Sequence, residues 1–219
     1  MQPLGYTSVP ALIKYLRHAE HLGLDPAATL AAAGIRPEDL ADNGKRLPSE
    51  VHERLLGHLA RTSGDPLFGL HAARYVQPGS WSVLGYITMN CATLGEAMSR
   101  IAPYEKLVGD MGVSRIEADA DLVRMVWSCR HQDPLIRRHM VENVLASWLL
   151  YARWIADMQR SPREVWFEHA LPAETEIDAY EEVFGCPVRF EQPCSALLVP
   201  LDYLVLPLRQ ADANLLRTL

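Results

Sequence analysis

The residues best suited to metal or nucleophilic chemistry in this 219-residue sequence are eight histidines and four cysteines. His18 and His21 stand three apart, the spacing that puts two imidazoles on adjacent turns of a helix. No cysteine, aspartate or glutamate at the next turn completes a ligand set, and HExxH is absent. The pair is therefore expected on a solvated helix face, with no bound metal. Cys91, Cys129, Cys186 and Cys194 form no CxxC pair, so free thiols in a reducing cytoplasm are expected. GxSxG is absent, and Gly79–Ser80–Trp81 lacks the spacing of a nucleophile elbow. Neither GxGxxG nor GxxxxGK[ST] occurs, so no nucleotide cofactor is expected. Glu181 and Glu182 are adjacent carboxylates on an expected surface helix. No convergent acid, base or nucleophile emerges, and the chain is expected not to be an enzyme.

Charge bears on nucleic acid. The formal net charge is −6, whereas a phosphate-binding surface needs a basic field. Pro26–Ile35 (PAATLAAAGI) has the pattern of the first helix and turn of a helix-turn-helix. The following helix, Arg36–Asn43, carries Glu38, Asp39 and Asp42 against Arg36 alone, a balance that phosphates repel. A packed helical hairpin is the better account. No apolar run reaches the length of a membrane span. The first residues, MQPLGYTSVPALIKYL, lack the basic and apolar regions of a signal peptide, so a cytoplasmic location is expected.

What remains is binding without chemistry. Aromatics concentrate late in the chain: Trp127, Trp148, Tyr151, Trp154, Trp166 and Phe167, with Trp81, Tyr86 and Tyr104 before them. An apolar pocket with a few polar tips is the usual form of a small-molecule site. Trp127, Trp148, Tyr151, Tyr104, Trp81 and Tyr86 are the candidate lining. Arg124, Arg138 or His139 would supply a positive partner for an anionic ligand. The competing account is ordinary core packing, since burying aromatics is a common source of stability.

These residues need elements to hold them. Ser8 and Pro10 open a helix over 8–22, with Leu12, Ile13, Leu16, Ala19 and Leu22 at helical spacing. Asp25–Pro26, Ser49 and Asp65–Pro66 start further helices, and Pro37–Leu40 a short helical turn, so residues 1–76 read as a helical subdomain. Gly79–Ser80–Trp81 and Gly85 mark a loop or close-packed turn, and Thr93 caps the next helix. Period-two alternation in Val113–Ala118 and Leu122–Cys129 around Asp119–Ala120–Asp121 predicts a β-hairpin. Val123, Met125, Trp127 and Cys129 would share one face of it. Asp133–Pro134 opens a long helix to about 160, apolar nearly all round over Val144–Ala156 and so covered on more than one side. Strand 163–169, helix 174–184, strands 187–190 and 196–199 and a terminal helix over 207–219 follow. The fold class is α+β: an N-terminal helical bundle packed with an antiparallel sheet covered by a long helix. Residues 77–206 form the second subdomain, and 207–219 a linker helix.

Six segments together resemble one family. They are Gly23–Leu24–Asp25 with Ala33–Gly34–Ile35; Asp65–Pro66–Leu67–Phe68–Gly69–Leu70; Gly79–Ser80–Trp81 with Leu84–Gly85–Tyr86; Thr93–Leu94–Gly95–Glu96–Ala97; Phe184–Gly185–Cys186–Pro187–Val188–Arg189–Phe190; and Asp202–Tyr203–Leu204 with Leu206–Pro207–Leu208. In this order they resemble the N-terminal effector-binding region of AraC-type bacterial transcriptional regulators, in the arabinose-binding-like branch that is not a cupin. The resemblance implies a cytoplasmic regulator whose N-terminal domain senses a small molecule and forms a homodimer. It also implies that DNA is bound only through a C-terminal pair of helix-turn-helix motifs, which would begin about where this sequence stops; a separate domain or a truncated product is expected. The expected effector is apolar or carboxylate-bearing rather than a sugar, because residues 127–154 offer few clustered polar groups. A small enzyme using the same cleft and a ligand-free interaction module are the alternatives.

Overall fold

The computed structural model describes residues 5–219. Strand β1 (Tyr6–Ser8) leads into helix α1 (Val9–His21), whose first turn holds Pro10 where a missing N–H costs nothing. Helix α2 (Pro26–Ala33) is capped by Asp25, which accepts from the N–H groups of Ala27 and Ala28 at 3.0 and 3.3 Å. Strand β2 (Arg46–Pro48) returns to pair antiparallel with β1. Helices α3 (Ser49–Thr62) and α4 (Phe68–Ala72) complete the helical region. Three-residue strands such as β1 and β2 carry too few residues for period two to register, and the sequence reading passes over them. The segment after α2 is a 3-10 turn, Pro37–Ala41, in keeping with the short helical turn expected at Pro37–Leu40, and the helix to Asn43 that a helix-turn-helix would need does not form. Asp39 takes Arg36 and Lys45 as its own ion partners there.

Helices α5 (Val83–Met89) and α6 (Leu94–Tyr104) follow, then the hairpin of β3 (Gly112–Ala118) and β4 (Leu122–Cys129). Thr93 caps α6 as expected, accepting the Glu96 N–H at 3.2 Å. Helix α7 (Pro134–Ala156) starts at Asp133, which accepts from Leu135 and Ile136 N–H. It ends four residues before 160, where Asp157 turns left-handed. Strand β5 (Glu164–Trp166), helix α8 (Ile177–Phe184), strands β6 (Val188–Arg189) and β7 (Ala196–Pro200) and helix α9 (Ala213–Thr218) complete the order.

The main sheet runs β3-β4-β7-β5-β6. Every pair is antiparallel except β5 with β6. That pair is parallel because α8 crosses between its strands, so the sheet is mixed at one edge. Register places Val123 opposite Val199, and Leu197 between Met125 and Val165, all on the face that joins the main core. The other face carries a small cluster of Val126, Ala196 and Leu198.

Helix α7 packs against α3 and α4 on one side and against β4 on the other, which explains its all-round apolar surface. Its closest approach to α4 is at Gly69, where an added Cβ would stand 2.1 Å from the His139 carbonyl oxygen. A buried polar chain fixes this crossing. Tyr15 Oη donates to Asn143 Oδ1 at 3.0 Å, and Asn143 Nδ2 donates to the Gly69 carbonyl at 2.8 Å. One apolar core runs from Val9 to Leu208 and takes residues from the helical region and the sheet alike. The four cysteines are free thiols. No helix among the described residues is long and apolar enough to cross a membrane.

Helix α1 buries a wider face than its expected stripe. Val9, Leu12, Tyr15 and Ala19 are buried, Leu22 is exposed, and Lys14 and His18 face inward. The expected terminal helix is also shorter. Residues 206–212 run outside α9 because their N–H and C=O groups are engaged elsewhere: Leu208 N–H on Ala92, Arg209 N–H on Ile155 and Asp212 N–H on Asn90.

Candidate functional site

A cavity lies between the sheet and α7, closed at the side by α5 and α6. Period two brings Met125, Trp127, Leu197 and Val199 to the same face of β4 and β7. Helix α7 supplies Val144, Trp148, Tyr151 and Ile155 at helical spacing, and α6 supplies Leu94, Ala97, Met98 and Ile101. About 1050 Å³ of space is free of atoms, the mouth included. The lining is almost wholly apolar. Its polar members include Thr88, Ser114, Tyr151 and Glu105. Tyr151 spends its hydroxyl on the Gly85 carbonyl at 2.6 Å, and burial pushes its phenol up to about 12. Glu105 accepts the Ser114 N–H at 2.8 Å, and burial raises its carboxyl above the usual range.

Of the residues singled out in the sequence, Trp81, Trp127, Trp148 and Tyr151 line this cavity together. Tyr104 and Tyr86 do not. Tyr104 is exposed at the end of α6, and Tyr86 is exposed beside a surface groove shared with Trp154. Arg124 points to the opposite side of β4, as alternation requires, and pairs with Glu117 at 3.2 Å. Arg138 donates to the Pro66 carbonyl at 3.1 Å and stands 3.6 Å from the buried Glu142. His139 Nδ1 accepts the Gly69 N–H at 3.2 Å. Neither arginine faces the cavity, so both leave the candidate lining. The walls given by α6 were visible in the sequence as an amphipathic period, but nothing there named what that face would meet.

The cavity wall is tied to the C-terminal segment through the main chain. Leu94 N–H donates to Leu206 O, and Arg209 N–H donates to Ile155 O, each at 2.9–3.0 Å. Leu94 and Ile155 both line the cavity. These two bonds join both walls of the cavity to residues 206–209.

One polar cluster escaped the sequence reading. His18 is buried rather than solvated, and its Nε2 lies 3.0 Å from Asp65 Oδ2; His71 Nδ1 reaches the same oxygen at 2.8 Å. The three groups have metal-ligand types, with ligand atoms within 4.8 Å of one another. The Nδ1 of His18 decides the chemistry. It is buried without a partner, while Nε2 faces Asp65. A cation bound at Nε2 would need the ring proton on Nδ1, where no acceptor waits. The cluster acts as a clasp between α1 and the start of α4. Burial opposes the charge on Asp65, but donation from His18 and His71 outweighs it and holds the carboxyl well below its usual range. His18 and Asp65 are 47 residues apart, beyond any spacing rule.

Comparison with known proteins places the chain. The family described as the arabinose-binding domain of AraC transcription regulators, N-terminal, matches residues 23–208. The ornithine utilization regulator of Pseudomonas aeruginosa is 26% identical over 217 residues, covering 96% of this chain and 63% of that protein. The crystal structure of the transcriptional regulator CdpR from Pseudomonas aeruginosa superposes with a TM-score of 0.65 at 18% identity, over 87% of this chain and 58% of that one. That likeness is one of fold. The chain spans about three fifths of the length of either relative. With its six motifs and its fold agreeing with a match from Gly23 to Leu208, the chain belongs to the family of N-terminal arabinose-binding domains of AraC transcription regulators.

Proposed function

We propose that this chain is the ligand-sensing domain of an AraC-type regulator and that the cavity between the sheet and α7 receives its effector. The apolar cavity walled by Trp81, Trp127, Trp148 and Tyr151 carries this reading. The scarcity of polar lining favours an apolar or carboxylate-bearing metabolite over a sugar, whatever the family is called. Residues 207–219 would be the linker toward a DNA-binding region, so that DNA is reached only through that region. The effector acts by preferring one arrangement of the wall-and-linker unit over another, since a ligand shifts an equilibrium only by its differential affinity.

The test is thermal unfolding with a panel of small carboxylates and apolar metabolites. A ligand at one hundred times its Kd stabilises the folded state by about 2.7 kcal/mol, which raises the midpoint by several degrees. Trp148→Ala should abolish that shift while the protein remains folded. A variant that keeps the full shift removes Trp148 from the site.

Leu215 and Leu219 are exposed on and beside α9 and fit a homodimer contact. Sedimentation at micromolar concentration should then show a dimer that Leu215→Glu dissociates. A monomer throughout would refute that contact.

A further inference from the structure

No lysine, arginine or histidine is among the cavity's lining side chains. A cation nevertheless stands behind one wall. Lys14 of α1 is only 5% exposed, and its Nζ lies 5.0 Å from the centre of the Trp81 ring and 5.4 Å from that of Tyr15. Among the described residues its close partners are these two aromatic faces and not a carboxylate. Trp81 belongs to the cavity wall, and its Nε1–H is itself buried with no acceptor.

A buried indole N–H with no acceptor thus stands at one end of an apolar chamber, beside an amine over the same ring whose burial lowers its pKa to about 7. A buried donor left without an acceptor destabilises the fold. Ser82, directly after Trp81, is held at φ 53° and ψ −140°, a conformation that side-chain-bearing residues rarely adopt. Strain of this kind gathers where a ligand is clamped. The turn Pro78–Trp81 is braced for it, with the Gln77 N–H donating to Ser80 Oγ at 3.1 Å.

We infer that the cavity takes an organic carboxylate whose head group accepts from Trp81 Nε1 and from Lys14 Nζ, with the apolar body lying along Trp148 and Met125. The inference rests on the reading of the cavity as an effector site and names the chemistry of the guest. A carboxylate has the lone pairs to satisfy both donors at once. The flexible four-carbon stem of Lys14 would let its nitrogen swing from the face of the indole, 5.0 Å from the ring centre, to the edge where the N–H points. Glu105, the cavity's own carboxylate, is occupied by Ser114 and would repel a second negative head, so it fixes which end of the guest goes where.

Calorimetric titration of the 219-residue chain with matched pairs tests this: 3-phenylpropionate against 3-phenylpropanol, and octanoate against octanol. The acid of at least one pair should bind tenfold or more tightly than its alcohol. Lys14→Met should lower the affinity for the acid at least tenfold and leave that for the alcohol within threefold. Trp81→Phe, which keeps the ring and deletes the N–H, should weaken acid binding several-fold, and it serves if Lys14→Met fails to fold. Acids and alcohols binding equally, or a preference for acid that survives Lys14→Met, would overturn the head-group assignment and leave the cavity as an effector site. If neither acids nor alcohols bind, the effector-site reading falls as well.

Discussion

Alanine at position 85 is expected to cost more than about 4 kcal/mol of folding stability, or to prevent folding outright. The reason is backbone against backbone. A Cβ on Gly85 would stand 1.9 Å from the Pro78 carbonyl oxygen and 2.7 Å from its carbonyl carbon. No rotamer change relieves such a contact, because neither atom belongs to a side chain. The turn Pro78–Trp81 would have to lift off α5, taking Trp81 out of the cavity wall and breaking the bond from Tyr151 to the Gly85 carbonyl. Gly79→Ala is the control. The nearest atom to its Cβ is the Tyr86 hydroxyl at 3.5 Å, an ordinary contact, and stability should change by less than about 1 kcal/mol. Urea unfolding of the two variants checks the contrast. A Gly85→Ala protein as stable as its parent would mean that the turn is not packed as described.

The second large effect is acid destabilisation through His52. The ring is buried, with Nδ1 3.3 Å from Thr7 Oγ1 and Nε2 without a partner. Burial pushes its pKa down to about 3, helped by His131 and Lys14 nearby. The sign follows from linkage. Between pH 6.5 and 3 the unfolded chain carries a proton at this position that the folded chain refuses, so stability falls as pH falls across that window. Each unit costs about 1.4 kcal/mol, and the whole span is on the order of 5 kcal/mol, comparable with the total stability of many domains. Burial lowers His131 and His169 as well, which steepens the same slope. Urea unfolding at pH 6.5, 5.5 and 4.5 should show the decline, and His52→Gln should reduce it by about 1.4 kcal/mol per unit. An unchanged slope in that variant would show that His52 is already protonated in the native state.

Much of this fold is legible in the sequence because local chemistry and tertiary structure agree. Asp25–Pro26, Thr93 and Asp133–Pro134 are capping signals, and each caps a helix. Alternation over 122–129 gives both the hairpin and the face on which Met125 and Trp127 meet α7. The failures come where long-range packing decides. Gly79 and Gly85 suggest a loop or a close-packed turn, and Pro78–Trp81 is such a turn, yet Gly85 itself is helical and needs the absence of a side chain against Pro78. Leu12, Ile13, Leu16, Ala19 and Leu22 suggest one stripe for α1; Leu12 and Ala19 are buried and Ile13 and Leu16 partly so, but Tyr15 and His18 also point inward to Asn143 and Asp65, with Lys14 buried beside them. A lysine between an isoleucine and a tyrosine gives no local sign of burial. For the same reason Arg124 and Arg138 looked available as cations, while their partners Glu117 and Glu142 could be assigned only in space.

The uninterrupted interior from Val9 to Leu208 has a consequence for cooperativity. With one core shared by bundle and sheet, neither part is expected to melt and leave the other standing, and calorimetry should show a single transition. A guest lodged at one end would then steady residues far from it, and the molecule would answer as a unit.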